Sequence, residues 1–270
     1  MRLRGRRLLI GLGLVFLAGV VLLALLEWGR RRQVEAAGVS RLDGSGMAVA
    51  ATELEKRYRD SEALARLCTD FTQRLDDLQG RALGLWHTRK TRLIRYDSTG
   101  QAEGITETTF HVHFEDGAER KREVARRQLL GKPSFFDLDK LKLELADLRL
   151  LLPFSKESPE GLYRYRLAGV EEIDGRRALR IQFEPTEPVE RSFRGAAWID
   201  AASGEPVRLL GSPVKPRLRV DRFEMLFDYG PSENGFTQLR RVVIETAGGF
   251  ALVSWHFRSE TELSDYRAAD

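Results

Sequence analysis

The sequence is poor in the residues that form cross-links, metal sites and catalytic nucleophiles. Cys68 is the only cysteine, which excludes an intrachain disulfide and a cysteine-based metal site. We expect it to be a small apolar residue buried on a helix. There is no G-x-S-x-G motif, and the glycine pair at residues 11–13 lies in an apolar run, where it cannot form a phosphate loop. These absences favour a binding protein over an enzyme, and no cofactor is predicted.

The four histidines leave one candidate for a metal site, His111-x-His113. On a strand, residues two apart point to the same side, so the two rings could share a zinc ion with a third ligand. Glu107 and Thr109 lie on that same side, which favours a solvent-exposed face instead. We predict no metal here, and an enzymatic function would depend on this pair.

Two pairs of adjacent carboxylates, Asp76-Asp77 and Glu171-Glu172, are candidate acid/base groups. Neighbours on a strand project to opposite faces, which is a poor arrangement for joint acid/base catalysis. We interpret both pairs as solvated surface.

The excess of basic residues belongs to the N-terminus. Residues 1–32 contain seven arginines and one glutamate; removing them from the 44 basic and 40 acidic residues leaves 37 and 39, a net charge of −2. A nucleic-acid-binding domain would need a basic excess on one face. We therefore predict no nucleic-acid partner.

Residues 8–26 form the one long run without charge, nineteen residues rich in Leu, Val, Ile and Gly. As a helix, this run would span roughly 28 Å, close to the thickness of a bilayer core. Trp28 suits a membrane interface, and three arginines at residues 30–32 make a signal-cleavage site poor. We predict an uncleaved single-pass anchor in the inner membrane, with the main domain in the periplasm.

The chain divides into a tail and anchor at residues 1–32, a flexible linker at 33–50 and one domain at 51–270. A capping box of Thr52 and Glu55 predicts a helix that runs to about Cys68. Leucines spaced by three and four residues predict a second amphipathic helix over 137–152.

The remaining patterns alternate with a period of two and are typical of antiparallel strands. Asp174-Gly175 and Gly248-Gly249 predict turns between strands, and a change of parity predicts a bulge near Asp221-Arg222. The basic stretch 119–130 fits either an exposed edge or a surface for lipid headgroups. The predicted strands are residues 84–96, 105–114, 162–173, 177–184, 196–200, 206–210, 218–229, 239–246 and 252–266.

These elements predict a mainly β fold with helices, in the α+β class. The strands form a curved antiparallel sheet, an incomplete barrel with helices on its concave face, preceded by one transmembrane helix. An apolar sheet face must be covered, so we expect function to reside in the covered face.

Three segments resemble the LolA/LolB-like proteins of the bacterial envelope, often described as outer-membrane lipoprotein-sorting proteins. They are FRGAAWID with EPVRL at residues 193–209, GVEEIDGRRA at 169–178, and SDYR at 264–267. The resemblance covers roughly residues 160–267 and includes no catalytic residue. It implies an incomplete barrel plugged by helices, which carries or senses lipids or lipoproteins in the periplasm.

The main hypothesis is a membrane-tethered, non-enzymatic periplasmic protein that binds an acyl chain or lipoprotein in an apolar half-barrel cavity. The alternative is an envelope interaction or sensor module, with a filled core, that meets a partner protein at its rim or edge strand. The residues predicted to form the cavity are Phe110, Val112, Phe114, Leu141, Leu145, Leu148, Phe223, Phe227, Trp255 and Phe257.

Overall fold

The structure is a computed structural model of the 270-residue chain. It describes residues 47–48, 53–58, 60–82, 84–115, 118–131, 153–155, 158, 161–189, 192–215, 220–231, 235–250 and 253–268. The predicted anchor at 8–26 and the predicted helix at 137–152 lie outside the described residues. Within the described part of the chain, no helix has the length and hydropathy needed to cross a bilayer.

Two helices, α1 (Glu53–Tyr58) and α2 (Ser61–Ala82), replace the single predicted helix that was to end near Cys68. Asp60 starts the second helix, because its Oδ1 accepts a hydrogen bond from the Glu62 amide at 3.1 Å. The prediction of one short helix was wrong because it overlooked this cap and the apolar face that continues to Ala82.

Within the described residues the chain forms eleven strands: β1 (Met47–Ala48), β2 (Leu85–Tyr96), β3 (Ala102–Glu115), β4 (Ala118–Leu130), β5 (Tyr163–Ile173), β6 (Arg176–Pro185), β7 (Phe193–Asp200), β8 (Pro206–Pro213), β9 (Val220–Pro231), β10 (Thr237–Phe250) and β11 (Val253–Ala268). These described strands make one antiparallel sheet in the order β1-β5-β6-β7-β8-β9-β10-β11-β2-β3-β4, which places β1 and β4 at its two edges. Each of the nine predicted strand regions overlaps one of these strands, and the basic stretch 119–130 is a strand as well.

Of the predicted turns and bulge, one turn and the bulge are confirmed and one turn is wrong. Asp174 and Gly175 both have positive φ, at 50° and 75°, and make the predicted tight turn between β5 and β6. The register between β9 and β10 skips Asp221, which confirms the predicted bulge. The turn predicted at Gly248-Gly249 is wrong, because both glycines remain in β10. Trp255 lies directly opposite Gly248, a pair in which an aromatic residue compensates for glycine in a strand.

The main core lies between α2 and the sheet, and we call the covered side the concave face. The helix packs on β5, β8 and β10 through Cys68, Phe71 and Leu75. Phe154 enters the same cluster, with its ring edge-on to Phe71 at 4.8 Å between centroids. Cys68 is therefore the buried helical residue that the sequence predicts.

The opposite, convex face carries a second apolar cluster around Trp198. Glu171 is buried in this region, with 7% of its surface exposed. Its carboxylate accepts hydrogen bonds from Trp198 Nε1 at 2.7 Å and from Arg180 Nη1 at 2.9 Å. The interpretation of Glu171 as solvated surface was wrong, because strand alternation places it beside Trp198.

Candidate functional site

Seven of the predicted cavity residues lie in the described part of the chain, and all seven point to the concave face. Strand register establishes this, because partners in antiparallel strands share a face. Leu141, Leu145 and Leu148 lie outside the described residues and stay predictions. The seven are Phe110, Val112, Phe114, Phe223, Phe227, Trp255 and Phe257.

The seven residues do not form one cluster. Phe227 belongs to the main core under α2, and Phe223 packs against that core. Phe110 on β3 pairs with Arg89 on β2, and Arg89 pairs in turn with Leu263 on β11. Leu263 lies six residues along β11 from Phe257. At about 3.4 Å per residue, roughly 20 Å of concave face separates the aromatic groups at its two ends.

Between these groups the concave face is partly polar. The hydroxyls of Thr91 and Thr261 lie 3.1 Å apart, and Thr108 is in register with Thr91. Nearby, Arg89 donates two hydrogen bonds to the carboxylate of Glu119, at 2.6 Å and 3.1 Å. The prediction of an apolar lining therefore fits the β5–β10 region better than the β11–β4 region.

A cavity of about 270 Å³ opens between α2 and the start of β5. One wall is a single side of α2, and the other wall contains the rings of Tyr163 and Tyr165. The predicted cavity residues do not line it within the described part of the chain. Its described lining is Ala65, Cys68, Thr69, Thr72, Pro153, Ser155, Ser158, Gly161, Tyr163 and Tyr165.

The hydroxyl groups in these walls have bonding partners inside the protein. Thr69 and Thr72 donate to backbone carbonyls one turn earlier in α2, at 3.1 Å and 2.9 Å. Tyr165 donates to the Pro153 carbonyl at 2.7 Å, and the Tyr163 hydroxyl accepts from the Phe193 amide at 3.1 Å. A polar ligand would have to compete with these bonds, so the walls suit a hydrocarbon better.

Burial changes the acidity of the groups around the cavity. It raises the pKa of the Cys68 thiol to about 12, and it also raises the pKa of the Tyr165 hydroxyl. Both groups are therefore neutral at physiological pH. A neutral thiol is a weak nucleophile, so Cys68 acts here as part of an apolar wall.

Helix α2 also borders a recess of about 310 Å³ that contains Leu78 and otherwise polar or charged residues. Arg74 and Glu205 cross it with an ion pair of 3.1 Å. This lining offers little apolar surface, so the recess is a poorer candidate for a lipid.

The histidine pair does not form a metal site in the described part of the chain. The His113 ring stacks on Trp86, with 3.8 Å between the centroids. No three His, Cys, Asp or Glu side chains among the described residues are placed to hold one metal ion.

Sequence reasoning missed a buried carboxylate on the convex face. Glu245 has no exposed surface and lies 3.1 Å from His256 Nε2, 3.7 Å from Arg258 and 3.9 Å from Arg222. The His256 ring also stacks on Tyr96. The continuous apolar run before Glu245 was a usable signal, since it indicates a strand covered on both faces.

No protein-family model matches the sequence, and no curated protein is significantly similar to it. A DUF1329 family protein from Desulfovibrio piger is 14% identical, with a TM-score of 0.40 and coverage of 75% of this chain and 92% of that one. A LolA superfamily protein from Nitrosomonas europaea is 12% identical, with a TM-score of 0.35 and coverage of 75% and 94%. An outer membrane lipoprotein-sorting domain from Vibrio parahaemolyticus is 15% identical, with a TM-score of 0.35 and coverage of 74% and 93%.

The likeness to LolA-like proteins that the sequence predicts is thus also found among solved structures. At these identities and TM-scores, the likeness carries no inference about function.

Proposed function

We propose that this protein binds one acyl chain of a lipid or lipoprotein on its concave face, without chemistry, and carries it in the periplasm. The observation that supports this most directly is the cavity beside α2, whose hydroxyl groups are already bonded within the protein. Ligand pockets commonly measure about 300–1,000 Å³. At about 270 Å³ the cavity lies just below that range, so it encloses only part of a long acyl chain.

The aromatic residues of the sheet extend the proposed site beyond the cavity. Phe110 and Val112 lie outside the core cluster under α2 but are already buried within the protein. Phe114, Phe223 and Trp255 are half-buried, so a lipid that covers them removes apolar surface from water. Full burial of an exposed side chain of this kind contributes roughly 1.5–3 kcal/mol, and covering a half-buried one contributes correspondingly less. In this proposal, residues 8–26 tether the domain to the inner membrane.

Uptake of a fluorescent fatty acid, cis-parinaric acid, by the delipidated full-length protein tests the proposal. We expect saturable binding of about one molecule per chain. Thr69→Trp places an indole at the mouth of the cavity and should weaken binding at least about tenfold. Asp70→Trp is the matched control, because its exposed side chain lies on the next position of α2, outside the cavity lining.

Two results would contradict acyl-chain binding. One is an absence of uptake by the parent protein. The other is equal uptake by Thr69→Trp and Asp70→Trp, since binding would then not involve the cavity.

A second function, an envelope interaction or sensor module, is favoured by the packing under α2. The rings of Phe71, Phe154 and Phe183 meet edge-on there, and each is nearly fully buried. A core filled in this way leaves the outer surface and the sheet edges for contact with a partner. A protein that takes up no lipid but retains its fold would support this second function.

A further inference from the structure

Strand β4 forms one edge of the sheet and is unusually accessible. It has 13 residues and pairs with β3 on one side; within the described part of the chain, no strand pairs with its other side. From Glu119 to Leu130 every residue except Ala125 is exposed. A row of backbone N–H and C=O groups along this edge is therefore open to an added strand.

Several apolar side chains of β4 are exposed to solvent. Three of the five large hydrophobic residues that are exposed in the described structure lie on this strand: Val124 at 52%, Leu129 at 50% and Leu130 at 43%. Natural edges are commonly protected by short length, proline or a covering element. This strand is long and contains no proline, but its register with β3 shifts at Val124 and Leu129, so two bulges and the charged side chains are its protection.

The charge on β4 has one predominant sign. The strand carries five basic and two acidic side chains. Both acidic ones already have partners, Glu119 with Arg89 and Glu123 with Arg126, at 2.6 Å and 3.0 Å. No ion pair is found within the described residues for Arg122, or for Arg127 five residues further along β4. The edge therefore complements a negatively charged partner.

We propose that β4 receives an extended acidic segment of another protein, which pairs with it as a twelfth strand. Backbone hydrogen bonds would supply affinity. Glutamate or aspartate in the added strand would pair with the arginines of β4, and apolar residues beside them would cover its exposed apolar side chains. This interaction is independent of lipid binding in the cavity. A second copy of the chain fits less well, because two basic edges would repel each other.

The unpaired charge of β4 lies on the convex face, where Arg122 and Arg127 are opposite His111 and Glu107. An anionic lipid surface meets that charge but offers no backbone groups to the strand edge. An added strand pairs with the backbone of the edge as well, which favours it as the occupant.

Binding of a ten-residue peptide of alternating Glu and Val to the full-length protein, reconstituted in nanodiscs of neutral lipid, tests the proposal. Hydrogen exchange is the second readout. When the peptide binds, the exchange rate of amides within residues 119–130 should fall at least about tenfold. The matching Lys-Val peptide should not bind. Arg122→Glu with Arg127→Glu should weaken binding by about tenfold or more.

The control is Arg164→Glu with Arg194→Glu, which changes the net charge equally on exposed residues of β5 and β7. Equal loss of binding in both double variants would overturn the proposal, as would peptide binding without slower exchange in β4. Slower exchange in nanodiscs of phosphatidylglycerol, with no peptide binding, would assign the edge to lipid headgroups instead. The β4 variant should take up cis-parinaric acid normally, so failure here is distinguishable from failure of the proposed carrier function.

Discussion

His87 shows how a single residue on the concave face ties stability to pH. Neither of its ring nitrogens has a hydrogen-bond partner among the described residues, and the ring stacks on Tyr266 at 5.3 Å between centroids. Burial, and after it the charge of Arg89, lowers the pKa of His87 to about 4. The imidazole is therefore neutral at pH 7, and it fills space as an apolar ring.

This lowered pKa predicts a loss of stability in mild acid. The unfolded chain binds a proton at this histidine below pH 6.5, whereas the folded chain does not until about pH 4. The free energy of unfolding should therefore fall as the pH drops through this window, by about 3 kcal/mol at most from this group. In His87→Phe this part of the loss should vanish.

Urea unfolding at pH 7 and pH 4.5 measures the effect. Parallel curves for His87→Phe and the parent would show that His87 is not a buried neutral group.

The packing of strand β7 against its neighbours requires a glycine at position 195, within the FRGAAWID segment. A Cβ on Gly195 would lie 2.0 Å from the Leu210 carbonyl oxygen and 2.9 Å from Cζ of Phe183. The strands β6, β7 and β8 can therefore pack closely here only without a side chain. Gly80, on α2, is a contrast, since nothing lies within 4 Å of its Cβ position.

The two glycines should respond to alanine in opposite directions. Gly195→Ala should lower the free energy of unfolding by about 3 kcal/mol, because backbone atoms must move apart. Gly80→Ala should raise it by up to about 1 kcal/mol, because alanine is a better helix former. Chemical denaturation of both variants checks this, and a loss of equal size in both would refute the close contact.

Strands were easier to predict from the sequence than helices, and the reason is physical. Alternation in β3, β9 and β11 is locally visible, so the shared face of Phe110, Phe223 and Phe257 followed from parity. The extent of α2 depended on Phe71 and Leu75 finding a sheet to cover, which is tertiary information.

For the whole molecule, the order of strands in the sheet is the feature that could not be predicted from the sequence. Strand β11 at the C-terminus pairs with β2 near the N-terminus, and this leaves β4 at the edge. Local sequence patterns cannot reveal such a distant pairing, because they specify strands and not their neighbours. The cavity was missed for a similar reason, since Cys68 and Tyr165 come together only through the packing of α2 on β5.

The single cysteine permits a direct test of whether a hydrocarbon chain occupies the cavity beside α2. Cys68 lines the cavity, and its neutral, buried thiol reacts slowly, so the rate of its reaction with methyl methanethiosulfonate is measured at alkaline pH, where it reports on whether the cavity is filled. Saturating palmitate should slow this reaction at least about tenfold in the delipidated full-length protein. An unchanged rate in the presence of saturating palmitate would show that no acyl chain occupies the cavity.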